Sequence, residues 1–377
     1  MRNYNPKNER IKKEFFRYLK EADRKADNTI DEVRKAILRY ETYTGFKDLA
    51  TFNREQATAF KKHLSTVKAE RTGAPLAKST LYATVNALKH FFKWLSCQPG
   101  YKSRINMTDI EYLNLSEKDV RVAKRPAVKT YPTLEQIRAT VLAMPAETDI
   151  ERRDRALLAF TIVTGMRDNA IASLRLKHVD IDRGCVVQDP REVRTKFSKQ
   201  IVTFFFEVGE DLQGIVREWI AHLRGNLLFG NDDPLFPRTR IAQDDNHSFV
   251  VDGLEPAFWA DAAPIRKIFR EAFTAYGLPY FNPHSFRDTL VQLGKQRCKT
   301  PEAFEAWSKN LGHEQMLTTF RSYGAIDPHR QGELIRSLGA DQKEEDKLDR
   351  LMQMMERMEK GRPRTDPAAP PDDRSEA

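Results

Sequence analysis

The eight residues Ala156–Val163 are apolar all round a helix apart from Thr161. A helix with no polar face must be wrapped by other elements on every side. At this length it is a core helix, because a membrane span needs about 20 apolar residues. No run in the chain reaches that length. The stretch therefore asks for a domain built around it. Gly165 follows as a C′ residue that ends the helix sharply. Thr164-Gly165-Met166-Arg167 is then held at the mouth of a core helix, where an arginine has a fixed position.

Upstream, Thr133 and Gln136 form a capping box that opens a helix carrying Leu134, Ile137 and Val141. Downstream the texture changes. Asp182-Arg183-Gly184 is a turn signal before Cys185-Val186-Val187, and Ile201–Val208 is a second β-prone run with Val202, Phe204, Phe205 and Phe206. Val193-Arg194-Thr195-Lys196 leads into Phe197-Ser198-Lys199 between them. The pattern predicts a three-stranded meander with Lys196 close to its second turn. From about Ile265 the spacing is helical again. Residues 132–340 read as one domain, mainly α with a small antiparallel sheet.

The front of the chain is different. Ile11, Phe15 and Leu19 share one face of a first helix. Thr29 and Glu32 have capping-box spacing for a second, striped by Ile30, Val33, Ile37 and Tyr40. Asn53 and Gln56 open a third with Ala57, Phe60 and Leu64 inside. A fourth starts near Ser79 and carries Leu81, Val85, Leu88, Phe92 and Leu95. These predict an all-helical domain over 1–97. Residues 98–131 lack a clear period and read as a linker with room for one short helix. In the tail, 341–377, Leu348, Leu351, Met355 and Met358 form a short apolar seam, and the Pro- and Asp-rich stretch after Gly361 reads as disordered.

A chain of 377 residues suits two such domains. Its net charge of +9 points weakly to a polyanionic partner. Cys97, Cys185 and Cys298 make no metal-ligand spacing and read as core thiols of a reducing compartment. Met1–Arg10 is polar, so no signal peptide is expected and a cytoplasmic location is.

Three further motifs carry chemistry. In Asn282-Pro283-His284-Ser285-Phe286-Arg287, Asn282 is a good N-cap and Pro283 suits the first helical position. His284 and Arg287 then lie three apart on one face at the positive end of a helix, which makes a phosphate site. Leu311-Gly312-His313 ends a helix begun by Thr300-Pro301, so a turn fixes His313. Thr318-Thr319 precedes Tyr323 and Gly324, and Tyr323 is the only tyrosine after Tyr280. Taken singly, the His284/Arg287 pair is better explained as a solvated helix face, and His313 and Tyr323 as a helix-end histidine and a surface tyrosine.

Together, in this order, they resemble the tyrosine recombinase (phage integrase) family. The resemblance spans about 133–335 through motifs and 5–95 through helical layout. It implies a helical, SAM-like core-binding domain in front of a catalytic domain. It also implies a site-specific recombinase that breaks and rejoins DNA through a 3′-phosphotyrosine, with Tyr323 as nucleophile. Arg167, Lys196, His284, Arg287 and His313 would surround it. No metal, cofactor or ATP is implied. The partners implied are double-stranded DNA and further copies of the chain, as a tetrameric synapse on DNA. Two departures stand out. Tyr323 lies ten residues after His313 where the family usually has nine, and Ala170 stands where the family commonly has Glu.

The implied chemistry suits these residue types. Arg167 and Arg287 would hold the non-bridging oxygens, with His313 adding a hydrogen bond. His284 is a candidate acceptor for the tyrosine proton, and Lys196 a candidate donor to the leaving 5′-oxygen. Lys78, Ser79, Lys89 and Arg71 are candidate DNA contacts of the front domain. A type IB topoisomerase and a catalytically silent DNA-binding accessory relative are the alternatives.

Overall fold

A computed structural model describes residues 4–69, 73–125, 129–195, 199–243 and 247–313. It divides into two compact units, residues 1–127 and 128–377.

The first unit is helical. α1 (Pro6–Glu21), α2 (Asp27–Thr44), α3 (Arg54–Leu64) and α4 (Lys78–Leu95) are the four expected helices. Their stripes converge on one core, with Phe15, Ile37, Phe60, Leu88, Phe92 and Leu95 each fully buried. Asn53 caps α3 through the Gln56 N–H at 2.9 Å, as its spacing predicts. The Thr29–Glu32 capping box does not form. α2 begins three residues earlier, at Asp27, and its N-cap Ala26 has no side-chain bond. An acidic residue in the first turn suits the helix dipole there without a cap.

The segment 98–131, expected as a linker, is largely folded into this unit. It holds α5 (Met107–Glu111) and α6 (Glu117–Lys124). Ile105, Ile110 and Leu113 are 4%, 0% and 0% exposed in the first core. These apolar residues are too few and too close to turns to show a period, yet the core takes them.

The second unit is wrapped around the apolar helix. α7 (Leu134–Ala143) opens on the Thr133–Gln136 capping box. α8 (Asp149–Thr164) buries all eight residues of 156–163 and ends at Gly165 in the left-handed region, φ 60°. Then come the short α9 (Asp168–Ile171) and β1 (Val179–Asp180), β2 (Cys185–Gln188) and β3 (Ile201–Phe204), an antiparallel meander in the order β1-β2-β3. The second β run ends earlier than expected. Cys185 pairs with Phe204, which exhausts β2. The Phe206 N–H instead reaches Val163 O at 2.7 Å, and its ring packs in the core at 4.6 Å from Trp307.

α10 (Glu210–Gly225) follows, buried through Leu212, Val216, Trp219 and Leu223. Then β4 (Arg238–Gln243) and β5 (Phe249–Glu255) pair as a separate hairpin. Neither α10 nor this hairpin is among the elements read from sequence. α11 (Ala263–Ala275), α12 (Ser285–Arg297) and α13 (Pro301–Asn310) complete the described part. The three cysteines differ from expectation, since only Cys185 is buried while Cys97 is exposed and Cys298 half-buried. No helix among the described residues is long and apolar enough to cross a membrane.

Candidate active site

Three chain segments far apart in sequence meet at the end of α8. The first is Gly165-Met166-Arg167, turned out of the helix by the left-handed glycine. Arg167 is half-buried and precedes α9 in extended conformation, φ −78° and ψ 143°. The second is the start of α12. Regular helix begins at Ser285, two residues later than expected, but the Asn282 side chain still accepts the Ser285 N–H at 3.2 Å. His284 has helical angles and so belongs to that first turn. The third is the end of α13, which Thr300 caps and Gly312 terminates at φ 70°. That turn places His313, only 7% exposed.

Arg287 ties the three together. It is 1% exposed. Its Nη1 donates to Gly165 O at the end of α8. Its Nη2 donates to Leu311 O at 2.5 Å and to His313 Nε2 at 2.9 Å. Arginine is always a donor, so His313 Nε2 accepts and the proton of its ring is on Nδ1. Three of the five guanidinium protons are thereby used. The Nε–H is buried with no partner among the described residues. An unpaired buried donor is costly, and an anionic oxygen is the group that satisfies it best.

The electrostatics agree. Burial, then the charges of Arg287 and Arg167, push His313 down to about 3. Partial burial, then Arg287, Lys129 and Arg167, push His284 down to about 4 against the opposing pull of Asp168. Both imidazoles are thus neutral at neutral pH beside two arginines. His284 keeps an exposed edge while Arg287 lies beneath the surface. The arrangement can hold a monoanion, and it offers one neutral base open to solvent.

Sequence reasoning missed two neighbours of this site, Lys129 and Arg266, and the anchoring contacts of Arg194 outside it. Lys129 lies 3.6 Å from Asp288, a carboxyl 6% exposed and pushed up by burial. Arg266 of α11 pairs with Asp168. Arg194 anchors the approach to residue 196, donating to Ala172 O, Trp259 O and Ala260 O at 3.1, 3.1 and 2.6 Å. A lone lysine, aspartate or arginine with no periodic signal carries no mark of such contacts. Ala170, 2% exposed, is part of the core. Lys196, Thr318, Thr319, Tyr323, Arg71 and the tail seam lie outside the described residues. Among the described residues no group of three or more His, Cys, Asp or Glu could hold a metal.

Two of the four proposed DNA contacts of the first unit, Lys78 and Lys89, are engaged within it. Lys78 pairs with Asp119 of α6 at 2.8 Å, and Lys89 with Glu111 of α5 at 2.8 Å and with Asn114 Oδ1 at 2.5 Å. Ser79 is exposed in the first turn of α4.

Comparison with known proteins follows the same lines. Residues 133–330 match the model of the phage integrase family. The chain is 23% identical over 254 residues to the tyrosine recombinase XerC of Lactobacillus delbrueckii subsp. bulgaricus, covering 66% of this chain and 72% of that one. It is 26% identical over 231 residues to XerC of Xylella fastidiosa strain 9a5c, covering 60% and 68%. Among solved structures it shares the fold of the Tn1549 transposon integrase in complex with transposon right end DNA, with TM-score 0.57, 14% identity and 87% and 99% of the chains covered. It likewise shares that of the XerH site-specific recombinase bound to palindromic difH substrate, with TM-score 0.55, 17% identity and 86% and 82% covered.

Proposed function

Because the chain belongs to the phage integrase family and is a tyrosine site-specific recombinase, we propose that it cleaves and rejoins double-stranded DNA by transesterification at the Arg167–His284–Arg287–His313 cluster. The observation that carries this is Arg287. It is a buried guanidinium that gathers two helix ends and a neutral histidine, and its Nε–H has no partner among the described residues.

The roles follow from the chemistry. Arg167 and Arg287 hold the non-bridging oxygens of the scissile phosphate, where charge gathers in the transition state. His313 adds a hydrogen bond there. Tyr323 is the nucleophile. A tyrosine has a pKa of about 10, so its proton must be taken as it attacks. His284, neutral and open to solvent, is suited to accept it. Lys196 gives a proton to the leaving 5′-oxygen. The 3′-phosphotyrosine conserves the bond energy, so rejoining needs no nucleotide. Charge is met by the guanidinium groups, with the neutral imidazoles exchanging hydrogen bonds and a proton, which supports a reaction independent of added metal. The working form is a set of protomers assembled on DNA, a tetramer in the synapse, in the cytoplasm beside the nucleoid. Lys78, Ser79, Lys89 and Arg71 remain proposed contacts of the front unit. For Lys78 and Lys89 this requires exchanging an acidic partner for phosphate.

The experiment is trapping on a nicked substrate carrying the protein's own site, with EDTA present and ATP absent. Wild type should form an SDS-resistant adduct that maps to Tyr323. Tyr323→Phe should bind with its usual salt dependence and form none. A label on Tyr276 or Tyr280 would refute the nucleophile assignment. A strict need for magnesium would refute the mechanism. No adduct from wild type would favour the silent DNA-binding reading, and relaxation of siteless supercoiled DNA the topoisomerase one.

A further inference from the structure

Arg167 is followed by a carboxylate that the proposed chemistry does not use. One oxygen of Asp168 accepts the Asn169 N–H at 2.9 Å, and the other accepts Arg266 Nε at 2.8 Å. The first bond is local to the start of α9, whereas the second reaches across to α11. Arg167 O accepts the N–H groups of Ala170 at 2.9 Å and Ile171 at 3.0 Å. Those two side chains are 2% and 1% exposed. Arg266 itself rides on α11, flanked by the buried Ile265, Ile268 and Phe269. Arg167 is thus a single residue held between the left-handed turn at the end of α8 and a carboxylate clamped to a second helix. An ion pair whose arginine is 52% exposed adds little to folding stability. Its value lies in direction. Misplacing a binding group by about 1 Å can cost about 100-fold in rate.

We propose that the Asp168–Arg266 pair is a positioning device that aims the Arg167 guanidinium at the reacting phosphate. Ala170, a buried methyl in the same short helix, has no group with which to do so. The proposal rests on the assignment of Arg167 to the phosphate site.

The test is single-turnover cleavage of a nicked substrate at saturating protein, run beside equilibrium DNA binding. Arg266→Met and Asp168→Asn should each slow cleavage of bound DNA by about 10- to 100-fold. Affinity and its salt slope should be unchanged. The double variant should be no slower than the slower single, because either change breaks the same tie. Arg266→Lys should recover most of the rate. Melting curves that match wild type establish that the variants fold, and Arg266→Gln serves if Arg266→Met does not. The idea is overturned if the loss lies in affinity with a salt slope lowered by about one, which would make Arg266 a backbone contact. It is equally overturned if the two single effects multiply, or if Arg266→Met cleaves at the wild-type rate. Arg167→Ala run alongside should lose far more of the rate than Arg266→Met, and Arg167→Ala cleaving at the wild-type rate would refute the assignment of Arg167 itself, whereas a slow Arg167→Ala beside an unimpaired Arg266→Met would refute only the tie.

Discussion

Gly165→Ala should damage both stability and cleavage, and the structure says by how much. Gly165 has φ 60°, a conformation that costs an L residue about 1–2 kcal/mol. A Cβ built there would lie 2.8 Å from Leu290 Cδ1 and 2.8 Å from Leu311 Cδ2. Both leucines are core residues, 0% and 2% exposed, so neither can swing into solvent. Overpacking of this kind costs about 1–3 kcal/mol. The sum is about 2–5 kcal/mol. Gly45→Ala is the control, because Gly45 has φ 64° with nothing within 4 Å, leaving only the conformational cost. For a unit of this size about 1 kcal/mol moves Tm by about 2–4 °C. Scanning calorimetry should therefore show Gly165→Ala melting about 4–20 °C lower in the second unit. Gly45→Ala should cost only about 1–2 kcal/mol in the first. The same substitution pushes on Leu311, whose carbonyl Arg287 holds, and on Gly165 O, which Arg287 also holds. Cleavage at a temperature well below melting should fall by about 100-fold. A Gly165→Ala protein that costs no more than Gly45→Ala and cleaves normally would refute the account of how α8 presents the site.

Two further outcomes follow. Lys196→Ala should cleave ordinary DNA poorly yet cleave a substrate with a 5′-bridging sulfur well, since a thiolate leaves without a proton; no rescue would give Lys196 another role. His284 and His313 are held at about 4 and about 3, below the ordinary value near 6.5. In that window the unfolded chain binds more protons than the folded one, so stability rises with pH. The stabilisation is full above about 6.5 and is lost as pH falls through these folded values. The acid inflection of kcat/KM, which reports the free enzyme, should lie near 4, and an inflection near 6.5 would contradict the site's electrostatics.

The amino-acid order by itself determined the elements whose burial has a period or a punctuation mark. The stripe of α4, the all-apolar 156–163 run, Gly165, the Thr133 capping box and the turns at Asn282 and Gly312 are local signals, and local backbone physics honours them. They order the motifs, and it is the resemblance of that order to the tyrosine recombinases that nominates Arg167, His284, Arg287 and His313. The sequence was silent where an element gains its place from distant partners. α5 has no stripe but supplies Ile110 to a core made by other helices. The β4–β5 hairpin leaves Ile241, Phe249 and Val251 exposed at 64%, 81% and 65%, so no buried face imprints an alternation; a backbone ladder, the Arg238–Glu255 and Arg240–Asp252 pairs and contacts with α8 define it. Only the tertiary structure decided that Arg287 would be buried with its donors on two helix ends, and that Asp168 would meet Arg266 from ninety-eight positions away. Hydrogen bonds and charge coupling act through space at a few ångströms. Chain separation does not record them, and so a site read from sequence is a set of residues until folding gives it distances.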